Sequence, residues 1–223
     1  MGAVTFDVIV VDPPWSFSDG LKAMKKPVRR GAASQYSTLS FSELAQLDVK
    51  ELADPSGSVL ALWVPSTLLS TGLDLMHMWG FTFKQTFVWV KTKQSKPGAV
   101  VTNVNDVLAF GMGRLFRQSH EIVLIGTMGK DVYKKLNDHS QRSVSLDERT
   151  RHSTKPESLQ DKLEKMFPNA NKLEMFARRQ RPGWTCVGDA IDGNDIYLAL
   201  RELIDGPSVV EYDEEKFEDD EIK

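Results

Sequence analysis

Apolar residues in this chain gather in short dense runs: FDVIVVD (6–12), GSVLALWV (57–64), FTFKQTFVWV (81–90), HEIVLIGT (120–127), NKLEMFA (171–177) and WTCVGD (184–189). Most alternate little between apolar and polar residues, as strands covered on both faces require. Between them lie stretches of helical pattern. SFSELAQL (40–47) starts with a serine followed three residues later by Glu43, a capping-box spacing. PSTLLSTGLDLMHMWG (65–80) has proline at its start and glycine at its end, the expected asymmetry of a helix. KPESLQDKLEKMF (155–167) and GNDIYLALRELIDG (193–206) complete the set. Strands alternating with helices predict an α/β fold, a mostly parallel, doubly wound sheet. Three segments, 16–39, 91–119 and 128–154, fit neither pattern and are expected as long loops. All three carry basic residues, which suits a substrate-binding rim.

Composition narrows the class. A chain of 223 residues with 41% hydrophobic and 26% charged residues fits one domain, here residues 1–206, with no internal repeat. No apolar run nears the roughly 20 residues needed to cross a bilayer, and no signal pattern opens the chain. A cytoplasmic protein is the expectation. The single cysteine, Cys186, allows no internal disulfide, and the four scattered histidines give no ligand spacing, so no metal is expected. The net charge of −3 conceals an asymmetry. Residues 211–223, within an acidic C-terminal tail (207–223) expected to be solvated, hold eight acids and two lysines. That stretch carries −6 and the remainder +3, with basic clusters at 22–30, 113–117, 149–155 and 178–181. Such a body suits a nucleic-acid partner.

The chemistry is concentrated in VIVVDPPW (8–15). Prolines cannot extend a ladder, so the chain must leave the sheet at Asp12. The C-terminal edge of an open α/β sheet is where ligands bind. There Asp12 offers a carboxylate, Pro13 a carbonyl stiffened by the ring of Pro14, and Trp15 a flat face. Two acceptors and a platform suit a planar heteroaromatic ring bearing an exocyclic amine. Such an amine is a poor nucleophile, because its lone pair is delocalised. Holding both N–H bonds on oxygens draws the nitrogen toward tetrahedral character and frees the lone pair for in-line attack.

These residues resemble the MT-A70 family of adenine N6-methyltransferases. The resemblance covers roughly residues 6–205 in ordered blocks: DPPW (12–15), YSTLSFSEL (36–44), LWVPS (62–66), WGF with WVKT (79–92), HEIVLIG (120–126), RHSTKPESL (151–159), KLEMFARR (172–179) and GWTCVGDAIDGNDI (183–196). It implies a Rossmann-like, S-adenosylmethionine-dependent methyltransferase fold, circularly permuted so that the catalytic motif precedes the cofactor-binding strand. By that resemblance Asp12, Pro13, Pro14 and Trp15 form the catalytic motif, with Asp12 also near the cofactor. Tyr36 flanks the target base; Trp63, as a candidate for stacking, and Lys91 are separately expected on the substrate side. Lys155 meets the methionine carboxylate of S-adenosylmethionine, Arg178 its ribose side, and Asp189 with Ile191 its ribose and adenine. Gln180 and Arg181 stand where the family's messenger-RNA methyltransferases, as distinct from its bacterial and phage members, have His and Asn. The absence of any accessory RNA-binding module favours DNA over RNA as substrate. A non-catalytic scaffold is the other alternative, against which the intact DPPW and Lys155 weigh. Whether the chain pairs with a second copy or a different subunit is left open by the sequence.

Overall fold

The computed structural model describes residues 4–16, 38–94, 102–111, 115–149 and 154–206. Tyr36, His152, the basic cluster at 22–30 and the acidic tail expected at 207–223 lie outside the described residues. In chain order the elements are β1 (Val8–Val11), α1 (Phe41–Ala45), α2 (Val49–Leu52), β2 (Gly57–Val64), and a 3-10 turn (Ser66–Leu68) that runs into α3 (Leu69–Met78). Then come β3 (Thr82–Thr92), α4 (Val104–Val107), β4 (His120–Gly129), α5 (Val132–Lys135), β5 (Val144–Glu148), α6 (Ser158–Met166), β6 (Lys172–Met175), β7 (Thr185–Val187), α7 (Asp189–Asp192) and α8 (Ile196–Asp205).

Among the described residues seven strands form one sheet in the order β5-β3-β4-β2-β1-β6-β7. Every pairing is parallel except those made by β4, which runs antiparallel to both β2 and β3. The two-fold period of β1 divides its side chains between two cores. Val8 and Val10 pack with Trp63, Val123 and the α6 residues Leu159 and Leu163. Ile9 and Val11 pack with Leu44 of α1, Leu52 of α2, Leu75 of α3 and Leu200 of α8. All four residues of β1 are buried, which is why the run lacks alternation. Each such side chain contributes about 1.5–3 kcal/mol on burial.

β1 has β2 on one side and β6 on the other. The connections leave its neighbours in opposite directions across the sheet, so the tip of β1 is the topological switch point, where a crevice opens. Asp12 is the first residue beyond that tip.

Two of the segments expected as loops hold structure. Residues 128–154 carry the end of β4, α5 and the edge strand β5. β5 escapes a hydrophobicity reading because its polarity is inverted: Ser145 is buried, while Val144 and Leu146 are exposed. Within 91–119, β3 runs on to Thr92 and α4 forms one turn, capped by the Asn103 side chain. The capping box expected at Ser40 and Glu43 is present, with Glu43 N–H donating to Ser40 Oγ and Ser40 N–H donating to Glu43. Among the described residues no helix is long and apolar enough to cross a membrane.

Candidate active site

Beyond Val11 the two prolines turn the chain off the sheet, and hydrogen bonds hold the turn in place. The Trp15 N–H donates to the Pro13 carbonyl at 2.8 Å, and the Leu39 N–H donates to Pro14 at 2.9 Å. The Trp15 indole N–H donates to the Trp63 carbonyl at 2.9 Å, fastening the turn to the end of β2. Trp15 is only 6% exposed and belongs to the core under α1 and α3. Its ring borders the crevice rather than standing free as a stacking platform.

The crevice has a volume of about 580 Å³. Its floor is a network of alternating charge. Lys155, three residues ahead of α6, donates from Nζ to both carboxylate oxygens of Asp12 at 2.8 and 2.9 Å. The same ammonium lies 3.4 Å from Glu121 Oε2 and 5.3 Å from the Trp63 ring centroid. Lys91 Nζ pairs with Glu121 Oε1 at 2.6 Å and lies 5.2 Å from the Trp89 ring. Trp63 and Trp89 meet edge to face, centroids 6.3 Å apart at 89°, so the two lysines rest on a fixed aromatic base. Burial works to lower the Lys155 pKa, but the charges of Asp12 and Glu121 outweigh it and the net shift is upward. For Glu121 burial works upward, and Lys155 and Lys91 outweigh it, holding the carboxyl below its ordinary range. Both groups are therefore held charged at neutral pH.

Of the residues expected from sequence, Asp12, Pro13, Pro14, Trp15, Trp63, Lys91, Lys155, Arg178 and Asp189 all line this one crevice. Trp63 does so with 2% exposure, its face taken by Lys155, so it supports the site from beneath. Ile191 packs instead against the core on the α6 side. Arg178 and Asp189 are solvent-exposed at the far wall. Gly188, just before Asp189, has φ +156, and a Cβ there would lie 2.8 Å from the Ala177 carbonyl, so only glycine lets this wall close against β6. Arg181 reaches back to α6, with Nε donating to Glu164 at 2.7 Å and further ion pairs to Glu157 and Asp161. It fixes the helix that follows Lys155.

Two of the crevice residues that sequence reading missed bear on the chemistry. Glu121 opens β4, and only the reversal of β4 carries it to the same edge as Asp12. An acid near the start of an apolar strand was the available signal. Phe176, at the end of β6, lines the crevice with φ +59. A bulky residue in that region costs of order 1–3 kcal/mol and persists where the surroundings over-determine it, commonly at a functional site.

A doubly wound α/β sheet with one reversed strand and an acid-bearing crevice at its switch point places the protein in the Rossmann-like methyltransferase class. The chain belongs to the MT-A70 family, whose model matches residues 6–190. It is similar to the type II methyltransferase M.MunI of a Mycoplasma species, with 28% identity over 213 residues covering 90% of this chain and 84% of that protein. It is similar also to the N(6)-adenosine-methyltransferase MT-A70-like protein of Arabidopsis thaliana, 28% identical over 85% of this chain and 24% of the relative. The human N(6)-adenosine-methyltransferase catalytic subunit METTL3 is 26% identical over 84% of this chain and 28% of its own length. The chain thus spans about a quarter of these plant and human relatives.

Proposed function

We propose that this protein transfers the methyl group of S-adenosylmethionine to the N6 amine of adenine in DNA. The observation that carries the reading is the Asp12–Lys155–Glu121 network facing a crevice at the tip of β1, beside the Pro13 carbonyl. Asp12 and Pro13 supply the two acceptors that an exocyclic amine needs. The Pro13 oxygen accepts one bond from Trp15, and among the described residues nothing takes its second lone pair. With both N–H bonds engaged, the nitrogen lone pair is aimed rather than delocalised, and positioning accounts for most of the rate. The proton that the amine sheds passes to Asp12 or to solvent. Lys155 and Glu121 hold the Asp12 carboxylate in place while this happens.

When bound, S-adenosylmethionine supplies an activated methyl on a sulfonium. The residues present fit such a zwitterionic ligand: cationic Lys155 and Arg178 suit its carboxylate and ribose side, and Asp12 and Asp189 suit its ammonium and hydroxyl groups. Ile191 supports the Asp189 turn from behind. DNA is preferred over RNA because M.MunI, a type II methyltransferase, is matched over 84% of its length, whereas the adenosine methyltransferases are matched over about a quarter. A base inside a duplex cannot reach the crevice without being extruded.

The test offers labelled cofactor to DNA and RNA oligonucleotides of matched sequence, followed by mass spectrometry of the nucleosides. N6-methyladenine from DNA is expected. Label confined to RNA would favour the alternative substrate, and no transfer to either would overturn the reading.

A further inference from the structure

Leu115 and Phe116 are 93% and 87% exposed, the most exposed large apolar side chains among the described residues. Nothing in their own packing explains two consecutive apolar residues in water, where apolar area is unfavourable at about 25 cal/mol per Å². Their position is fixed by a braced base. Gly111 N–H donates to Gln118 at 2.8 Å, Lys91 N–H to Ser119 at 2.8 Å, and Ala109 N–H to Lys91 at 2.9 Å, so the segment is knitted onto the end of β3. Gln118 lines the crevice and donates to Ser66 Oγ at 3.0 Å. The exposed apolar pair therefore lies two residues before a side chain of the crevice, on a segment joined to the end of β3.

Its flanks are cationic. The Arg117 guanidinium lies 5.7 Å from the Phe110 ring, and Arg149 Nη1 donates to the Phe110 carbonyl at 3.1 Å. Lys93 donates to the Asn105 carbonyl at 2.7 Å. Asp106, the acid of this segment, is occupied in capping its own turn through Thr102 and Asn103. An apolar tip with basic shoulders is complementary to a polyanion that has a hydrophobic stack inside it. Apolar side chains inserted between base steps unstack them in proteins that deform a duplex. Methylation of a paired adenine demands that extrusion.

We propose that Leu115 and Phe116 form a wedge that enters the base stack and fills the space left by the extruded adenine. This rests on the proposed adenine methylation of DNA. The inserted residues would be positioning residues, acting on the substrate's shape and not on the methyl transfer itself. Both side chains are so exposed that their truncation leaves the fold intact.

The test uses the full chain and the sequence context found modified in plasmid DNA. Wild type, Phe116→Ala, Leu115→Ala/Phe116→Ala and Phe116→Trp are assayed on a duplex with the adenine paired, on the same duplex with the adenine opposite an abasic site, and on the single strand. Truncation is expected to lower kcat/KM on the paired duplex by about ten-fold or more, with the single strand and the unpaired duplex within about two-fold of wild type. Phe116→Trp is expected to keep the paired activity. The fluorescence rise of 2-aminopurine at the target position should vanish in the truncated variants. Equal losses on all three substrates, or no loss on any, overturn the wedge. Equal losses accompanied by a fall in oligomeric mass, read by light scattering, assign the patch to a protein interface instead. A wild type active on the single strand alone also removes the wedge while sparing the methylation reading. A wild type inert on all three overturns the methylation reading itself.

Discussion

The two ends of β1 are built from the same parts and do different things. Asp7 precedes the strand and Asp12 follows it, and each binds a lysine shared with a second carboxylate. At the first end Lys135 pairs with Asp7 and Asp54 and also donates to the Gly57 carbonyl at 2.8 Å. At the second end Lys155 pairs with Asp12 and Glu121. Exposure does not separate them: the aspartate side chains are 15% and 24% exposed and the lysines 26% and 17%. What separates them is the remaining valence and the space. The other oxygen of Asp7 accepts the Asn171 N–H at 2.8 Å, and a Cβ on Gly57 would sit 2.5 Å from the Val132 nitrogen, so α5 is pressed against the start of β2. That cluster is closed and serves as a staple. Among the described residues the carboxylates of the Asp12 cluster have only ammonium partners, and the cluster opens onto the crevice. An ion cluster becomes a site when the fold leaves it a cavity and an unfinished set of hydrogen bonds.

Substituting the aspartates is the strongest way to break this comparison. Asp12→Ala is expected to lower kcat per folded molecule on the order of 10³-fold, because it removes an acceptor used in the transition state. Asp7→Ala is expected to cost about 2 kcal/mol of stability by leaving Lys135 incompletely paired, with the activity per folded molecule unchanged. Steady-state rates and denaturant unfolding on both variants decide it. Loss of activity in a fully folded Asp7→Ala protein would show that the staple also shapes the site.

The lysines give the next contrast. Lys135→Met should destabilise by about 2 kcal/mol at neutral pH. The hydrogen bond from Lys135 is the main reason the Asp54 pKa falls from 3.8 to about 2. A depressed carboxyl stabilises the fold above its unfolded value and loses that contribution as pH drops through its folded value. The gap between wild type and Lys135→Met should therefore be full above about pH 5 and narrow toward pH 2. Lys155→Ala should instead weaken cofactor binding by about ten-fold in calorimetry. Unchanged affinity would remove Lys155 from the methionine end.

Much of this was legible in the chain. Six of the seven strands follow from apolar runs, and DPPW locates the crevice because prolines end the strand at a defined place. β5 was not legible because its apolar residues face solvent. Glu121 was not, because its place depends on the direction of β4, and a single run of residues carries no sign of direction. Lys155 was found as a residue but not as an ion-pair partner. A spacing of 143 residues between it and Asp12 holds no local signal. The role of the aromatic positions was not legible for a related reason: a tryptophan at a strand end reads the same whether its face is open, or covered as Trp63 is by Lys155.

A third acid refines the comparison with the smallest expected effect. Glu174 lies on β6 opposite Val10, midway between the two clusters, and its hydrogen bond comes from the Gln160 amide at 3.1 Å, not from a lysine. Burial pushes its pKa up; the Gln160 bond and Arg181 oppose this, and the Asp12 charge adds to it. A carboxyl whose folded pKa is raised costs stability as pH climbs from its unfolded value through its folded one. Gln160 Oε1 is buried with no hydrogen-bond partner among the described residues. A neutral group at 174 can donate to it if the amide turns over, and a carboxylate cannot. Glu174→Gln should therefore match wild type in stability below about pH 4 and exceed it at neutral pH, by less than the ~1 kcal/mol typical of point substitutions. Thermal unfolding from pH 4 to 8 reads the difference. A variant less stable than wild type at pH 7 would mean that the ionised carboxylate is a third working charge beside Asp12, and that the division of β1 into one closed end and one open end is incomplete.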